Sequence, residues 1–391
     1  MRDPRRRSVY RRAGPFAAIA ALAVGGAAGE GCGGGGGTGT GAGGSTTSSG
    51  TMSTSSGMTT SSGMTTSSSM TTSSSMTTSS GTGGGSNCVP TTFGGQLSQG
   101  ANGGFTDAFD ASPSAMGTTV FFTGVDMAGN PGVFKTNVCP AGAATPVYTG
   151  GAFEAPFGIA VSSDDMTLYV ADLSAAEDPT DTTGAKDKGV LFTLSAAGGA
   201  APAILVGSIS PRGVTVVSEG GSDQIYFTGI DKANGMAGVF KIAAAGGSVT
   251  VIAEGAPFND PGGVTVAANG DVYVLDTSAS GSHLGDIIVV PKGGAAAEFV
   301  PNIQVGYPAG IALMKDDSAL LASGLDPTAE TDTLVQVTVS SKAVANNSMG
   351  IGTFGEAAGL HRAQKVDVFA WADTKATPSG MSGTGTVFVI K

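Results

Sequence analysis

Short runs of β-branched, aliphatic and aromatic residues recur along the last three quarters of the chain, separated by segments rich in glycine, proline and serine. Six of these runs end on an aspartate and read VFFTGVD, LYVAD, IYFTGID, VYVLD, ALLASGLD and VFAWAD. Their aligned positions are Phe121, Tyr169, Tyr226, Tyr273, Leu320 and Phe369, which follow one another at intervals of 47 to 57 residues. A strand-forming repeat of about this length, with no helical periodicity between copies, predicts the blades of a β-propeller.

Each full repeat contains four strand-like runs, and in four repeats Pro-x-Gly-(Ile/Val) opens the first run. The motif begins at Pro156, Pro211, Pro261 and Pro308. Proline has no N–H to donate into a sheet ladder, so we expect it at the entrance of a strand. Glycine lets neighbouring backbones approach closely, as the axis of a propeller requires. The first, third and fifth repeats carry a longer phrase before the aspartate than the even repeats, which indicates duplication of a two-blade unit.

The sixth repeat stops after its third strand, Val387–Ile390. The isolated run Val89–Phe93 is available to supply the missing fourth strand and thereby to cover an open sheet edge. We therefore predict an all-β fold for residues 87–391. It is a six-bladed β-propeller of four-stranded antiparallel blades, closed by an N-terminal strand that completes the last blade.

The first 31 residues have the pattern of an export signal, because an arginine-rich start precedes the apolar stretch Ala13–Ala28. Arg6-Arg7 followed by Val9 and Tyr10 fits a twin-arginine signal, and an ordinary signal peptide is the alternative. Within residues 32–86, every residue after Cys32 is Gly, Ser, Thr, Ala or Met, and none is charged. One methionine in every six residues is too little to fill a β-helix core, so this segment is predicted to be a disordered linker.

The three cysteines divide into one and two. Cys32 follows the apolar stretch and precedes the linker, as in a bacterial lipoprotein, although Gly29 and Glu30 depart from the usual lipobox. Lipidation of Cys32 and peptidase cleavage near Ala28 both stay open. Cys88 and Cys139 are then candidates for a disulfide in an oxidising compartment. We expect the protein to be exported, either to the cell envelope through a lipid anchor or into the medium.

The chain is acidic, with a formal net charge of −11. Six of its 19 basic residues are arginines within the first twelve positions, so the remainder is more acidic still. Such a surface repels nucleic acid and anionic lipid. We therefore expect a monomer with no nucleic-acid partner, whose contact with a membrane comes only through the lipid anchor.

The Pro-x-Gly-(Ile/Val) strand followed by a Tyr-Val-x-Asp strand resembles the NHL, SMP-30/gluconolactonase and TolB-like six-bladed propellers. The YFTG phrase is loosely similar to the YWTD propellers, although the Trp is absent. The resemblance to SMP-30 implies a divalent metal held in the central channel by Glu and Asn or Asp side chains of inner strands. Here those strands are small and apolar, and the exceptions are Asp107, Asp110, Glu356 and His361. No G-x-S-x-G elbow or nucleotide-binding loop is present in the sequence.

In a four-stranded meander, the loops before strand one and between strands two and three emerge on the same face. That face carries the six repeated aspartates, which either bind a ligand or cap their own turns. The candidates are Asp126, Asp172, Asp231, Asp276, Asp326 and Asp373. The longest connection holds Asp178, Asp181 and Asp187, which are candidates for a Ca²⁺ site because calcium takes carboxylate oxygens from flexible loops. A solvated acidic loop is the alternative.

We thus expect an exported cell-envelope propeller that binds a protein, peptide or glycan, and we assign no catalytic residue and no cofactor besides the candidate Ca²⁺. The alternative is an SMP-30/gluconolactonase-like metal-dependent hydrolase acting in the central channel. A third hypothesis is a structural surface module in which the Ser/Thr-rich linker is the functional part.

Overall fold

The computed structural model describes residues 94–95, 97–101, 103–140, 142–177, 188–277, 283–351, 357–374 and 385–391, without the side chains of 348–351. Within these ranges the chain forms 24 β-strands in six four-stranded sheets, and every strand pairing is antiparallel. The described residues include no helix capable of crossing a membrane. The predicted all-β fold of six four-stranded blades is confirmed.

Strand β1 (Leu97–Ala101) precedes five meanders of four consecutive strands, each of which is one blade. Blades one and two consist of β2 (Phe105–Pro113), β3 (Thr119–Asp126), β4 (Pro131–Asn137), β5 (Thr145–Thr149), β6 (Pro156–Val161), β7 (Thr167–Ala176), β8 (Lys188–Ser195) and β9 (Ala203–Val206). Blades three and four consist of β10 (Ile209–Glu219), β11 (Ser222–Asp231), β12 (Ala237–Ala243), β13 (Thr250–Glu254), β14 (Pro261–Val266), β15 (Val272–Thr277), β16 (Leu284–Val290) and β17 (Ala297–Gln304). Blade five consists of β18 (Ile311–Leu313), β19 (Ala319–Asp326), β20 (Thr331–Thr338) and β21 (Val344–Ile351), and the last three strands are β22 (Ala357–Arg362), β23 (Phe369–Asp373) and β24 (Thr386–Ile390).

The sixth blade is completed from the N-terminal side of the domain. Its strand order is β22, β23, β24 and β1, with Leu97 opposite Ile390 and Ala101 opposite Val387. Closure by an N-terminal strand is therefore confirmed. The closing strand found is Leu97–Ala101, whereas the predicted segment, Val89–Phe93, lies outside the described residues.

The core is divided among the interfaces between neighbouring blades. The first strand of each blade contacts the first strands of both neighbours, so that these six strands surround the axis. Six clusters of buried hydrophobic residues each lie between two adjacent blades. The cluster between blades six and one, for example, contains Phe105 and Phe122 of blade one, whose rings meet edge to face with their centroids 4.7 Å apart. This division explains why a chain of this length needs no single large core.

The two faces of the ring have different connections. The upper face, as we name it, carries the turns 127–130, 232–236 and 327–330 and the inter-blade loops 150–155, 255–260 and 305–310. The lower face carries the turns between strands one and two of each blade. There a series of aspartates links neighbouring blades, because each accepts a backbone N–H from the turn of the preceding blade. The pairs are Asp165 with Ala115 (2.6 Å), Asp223 with Ser163 (2.8 Å), Asp317 with Ala268 (2.9 Å) and Asp367 with Lys315 (2.8 Å).

Candidate binding site at the propeller axis

The repeated aspartates of the odd blades cap their own hairpins. Asp126 Oδ1 accepts the N–H groups of Ala128 and Asn130, each at 2.8 Å. Asp231 and Asp326 accept in the same way from residues two positions onward, at 2.8 and 2.9 Å. Burial is the largest single influence on the pKa of Asp126 and raises it, but the hydrogen bonds from Asn130 and the turn backbone together outweigh it, so the pKa of this carboxyl is lowered. The expected turn-capping role is confirmed for these three residues.

The aspartates of the even blades are buried, and two of them bind a second segment; Asp172 also accepts N–H groups of the residues that follow it, Ser174 and Ala175. Asp172 accepts the N–H groups of Glu154 and Ala155, in the loop that precedes its own blade, at 2.8 and 3.0 Å. Asp276 accepts those of Asn259 and Asp260 at 2.9 and 3.0 Å. Asp373 is also buried and lies opposite Ala357, as Asp172 lies opposite Pro156 and Asp276 opposite Pro261. The carboxylates of Asp172 and Asp276 therefore fix the segment that leads into the axial strand of their blades.

Burial changes the acidity of two of these groups. Desolvation raises the pKa of Asp172, although four backbone N–H groups oppose the shift. Desolvation also raises the pKa of Asp276 to about 6, and the neighbouring carboxylates Asp260 and Asp286 add to the effect. Whether the six repeated aspartates bind a ligand stays a prediction, but none of them lines the cavity described below.

Glycines close the interior of the axis. In five blades the glycine that follows the strand entrance leaves no room for a side chain, because an added Cβ would lie within 3.0 Å of an atom of the next blade. These residues are Gly158, Gly213, Gly263, Gly310 and Gly359. In blade one the corresponding layer contains Asp110, whose carboxylate lies against Gly359. The expectation that glycine permits close approach at the axis is thus confirmed.

Asp110 joins three blades through its carboxylate. Its Oδ2 atom accepts the N–H of Ile159 in blade two at 2.8 Å and lies 2.9 Å from Nε2 of His361 in blade six. Both side chains are buried, with exposed fractions of 3% and 7%. The pair crosses the seam between the first and last blades. Of the polar inner-strand residues noted in the sequence, Asp110 and His361 come together, Asp107 does not join them, and Glu356 lies outside the described residues.

A second polar group lies at the upper end of the axis. Asp260, held by Asp276, forms an ion pair with Arg212 in which Nη1 and Oδ1 are 2.6 Å apart. Its other oxygen accepts the hydroxyl of Thr277 at 3.0 Å. Arg212 Nη1 also lies 3.4 Å from the hydroxyl of Tyr307. Burial raises the pKa of Tyr307, and the charge of Arg212 partly offsets this.

Aromatic rings span the same end of the axis. Phe157 of blade two contacts Phe109 of blade one, with ring centroids 5.0 Å apart, and meets Tyr307 edge to face at 6.2 Å. Tyr307 precedes blade five, so this contact joins opposite sides of the ring. All three side chains are half-buried. We call Phe109, Phe157 and Tyr307 the aromatic mouth.

Together these groups form a small cavity of about 30 Å³, which lies within about 470 Å³ of empty space that includes open solvent. Side chains and backbone of all six blades line it, and they include Asp110, Phe157, Arg212, Asp260, Tyr307 and His361. Phe157, Arg212, Asp260, Thr277 and Tyr307 were not anticipated from the sequence. The sequence did contain a signal for Phe157 and Arg212. They occupy the variable position of Pro-x-Gly in two blades, where the other two blades with this motif have the small residues Gly262 and Ala309.

The other predicted sites remain untested. Asp178, Asp181 and Asp187 lie outside the described residues, as do Cys32 and Cys88, so the Ca²⁺ site, the lipidation and the disulfide stay predictions. Cys139 is half-buried just after β4. Among the described residues, no three His, Cys, Asp or Glu side chains are grouped so that they could hold a metal ion. The residues described thus do not fit the metal site that the SMP-30 resemblance implies.

The fold has close parallels among solved structures. A gluconolactonase from Xanthomonas campestris matches with a TM-score of 0.50 and 15% identity, over 75% of this chain and 88% of that one. A Bacteroides thetaiotaomicron protein of unknown function matches with a TM-score of 0.50 and 14% identity, over 76% of this chain and 72% of that one. TolB from Acinetobacter baumannii matches with a TM-score of 0.47 and 8% identity, over 62% of this chain and 54% of that chain. No family model and no curated sequence matches. At these identities the likeness establishes the propeller fold alone.

Proposed function

We propose that this protein is an exported cell-envelope β-propeller that binds a protein, peptide or glycan ligand at the axial cavity and does not transform it. The observation that carries the proposal is the composition of that cavity. Its mouth combines half-buried aromatic rings with a paired Arg212–Asp260 group, and closely packed glycines of the axial strands complete the lining. Apolar surface with a few convergent polar groups is the usual make-up of a ligand site.

The rival function is the SMP-30/gluconolactonase-like hydrolase. It would need carboxylate or histidine ligands gathered around a metal in the channel. The described cavity instead offers two carboxylates: Asp260, which is paired with Arg212, and Asp110, which already accepts two backbone N–H groups and contacts His361. A group so fully engaged favours a structural link between blades over metal binding.

The proposed location depends on the N-terminal sequence. The arginine-rich start, the apolar stretch and Cys32 support export and anchoring, and the linker of residues 32–86 would hold the propeller away from the membrane. Radiolabelled palmitate incorporation, compared between the natural chain and Cys32→Ala, tests the anchor.

Three measurements on the full chain test binding against hydrolysis. Elemental analysis should find no stoichiometric divalent metal, and aldonolactone hydrolysis should not exceed the buffer rate. Envelope extract passed over the immobilised protein should yield a ligand that is lost with Phe157→Ala but retained by Tyr148→Ala. Tyr148 is a matched control because it is also half-buried and also meets a phenylalanine edge to face, at 5.7 Å, on the outer strand β5. Stoichiometric metal with lactone turnover would overturn the proposal.

A further inference from the structure

The upper face is predominantly acidic. Its exposed charged side chains include Glu154, Glu177 and Glu330, and the half-buried Asp126, Asp231 and Asp326 add to them at the hairpin turns. The described basic residues of this face are Lys188, Lys232 and Arg212. Arg212 contributes little net charge, because its guanidinium is paired with Asp260 at 2.6 Å. A ligand that approaches this face therefore meets a negative potential, which attracts cations and slows the approach of anions.

The aromatic mouth lies within this field. Aromatic rings carry negative charge on their faces, and they attract an ammonium or guanidinium group placed within about 6 Å of the ring centre. Phe157 and Tyr307 meet edge to face, so the edge of one ring covers part of the face of the other, and both residues line the cavity. The Asp260 carboxylate lines the same cavity, where it is paired with Arg212 and accepts the hydroxyl of Thr277. Aromatic rings within an acidic face favour a positively charged group.

We propose that the aromatic mouth recognises a lysine or arginine side chain of a partner peptide, which the acidic upper face draws toward the axis. This inference rests on the proposed binding function and names its partner chemistry. An acidic peptide would be repelled by the upper face, and a neutral glycan would gain nothing from the field. Of the three partner classes, a basic peptide is the one that both the field and the rings favour.

Calorimetry on the full chain tests the inference with three probes: tetra-arginine with blocked ends, tetraglutamate with blocked ends, and a neutral tetrasaccharide. Tetra-arginine should bind, with an affinity that falls as salt rises. Phe157→Leu keeps an apolar side chain but removes the ring, so it should weaken binding about fivefold or more. Phe157→Leu also preserves most of the packing volume, and an unchanged unfolding midpoint would show that the fold is intact.

The matched control removes charge from the other face. Asp164 and Asp316 are exposed on the lower face, and the double variant Asp164→Asn, Asp316→Asn should leave the affinity for tetra-arginine within about twofold. Equal losses in both variants, or full binding by Phe157→Leu, would mean that the peptide binds through general electrostatics and would overturn the inference. So would Phe157-dependent binding of tetraglutamate or the tetrasaccharide, and this last result would leave the proposed binding function standing. Metal-dependent lactone turnover would instead remove the proposed function itself.

Discussion

The odd and even blades use one repeated aspartate for two different purposes. In odd blades it lies five or six residues after the aligned aromatic position, so it reaches the hairpin tip and caps the turn. In even blades it lies three or four residues after that position, level with the strand entrance, and is buried. A change of two residues in phrase length thus moves the same carboxylate from a solvated turn to an interior anchor.

The difference bears on the candidate site. Asp276, an even-blade residue, binds the backbone of Asp260, and the side chain of Asp260 then orders Arg212 and Thr277 at the cavity. The odd blades offer no such anchor, because Asp126, Asp231 and Asp326 bond only within their own turns among the contacts described. The even-blade aspartates therefore help to order the site, whose lining comes from all six blades, while the odd-blade aspartates supply negative charge to the upper face.

The largest expected effect comes from removing an interior anchor. Asp172→Ala should lower the free energy of unfolding by about 3 kcal/mol or more, since the fully buried Asp172 carboxylate is the acceptor for the N–H groups of Glu154, Ala155, Ser174 and Ala175. Asp126→Ala is the matched odd-blade variant, and it should cost below about 1 kcal/mol because water can replace its bonds. Urea unfolding of both variants measures the difference. Similar losses would erase the distinction between the two kinds of blade.

A smaller effect should appear as a change in pH dependence. The pKa of Asp276 is raised to about 6 in the folded protein, above the value of 3.8 for the free side chain. Protonation of this group therefore favours folding, and its contribution is complete below about pH 4 and is lost as the pH rises through 6. Asp276→Asn should remove a stability change of roughly 1 kcal/mol per pH unit between pH 5 and 6, seen in urea unfolding.

Asp126→Asn is the control for that measurement. The pKa of Asp126 is lowered, so its contribution is present above about pH 4 and is lost only at more acidic pH. Between pH 5 and 6 the control variant should follow the natural protein. If Asp276→Asn also shows the same change of stability with pH as the natural protein, Asp276 is not the interior anchor that the comparison requires.

The architecture was predictable because strand periodicity and repeat length are local signals. The runs before Asp172 and Asp276 mark the second strands, and Pro156 and Pro261 are the first residues of β6 and β14. The strand that closes the ring was harder to predict from the sequence. Leu97–Ala101 contains Ser98, Gln99 and Gly100, so it lacks the apolar run of a strand, and only its pairing with β24 makes it one.

The candidate site was less accessible from the sequence, because it depends on residues distant along the chain that meet at the axis. Phe157 and Tyr307 are 150 positions apart, and neither belongs to the repeated aspartate phrase. The lower-face aspartates were missed for a related reason. The doublets Asp164-Asp165 and Asp316-Asp317 look like ordinary turn residues, and their bonds to the preceding blade exist only in the closed ring.

The smallest expected effect tests whether the odd blades are alike among themselves. Thr123 and Thr228 occupy the same place in the phrase FTG, and both are fully buried. The hydroxyl of Thr228 accepts the N–H of Gly213 at 2.9 Å and donates to the carbonyl of Gly262 in the next blade. The hydroxyl of Thr123 has no partner among the described residues. The two blades therefore share a sequence phrase but not its hydrogen bonds.

Valine has nearly the shape of threonine and lacks the hydroxyl, so it separates these cases. Thr228→Val should cost about 1 to 2 kcal/mol in urea unfolding, because the N–H of Gly213 loses its acceptor beside the axial cavity. Thr123→Val removes a buried hydroxyl that has no bond to lose, so it should be neutral or stabilise by up to about 1 kcal/mol. Equal costs would show that both hydroxyls are bonded, and the odd blades would then be a uniform class. A cost confined to Thr228 would mean that the third blade joins the even blades in supporting the site, since it also supplies Arg212.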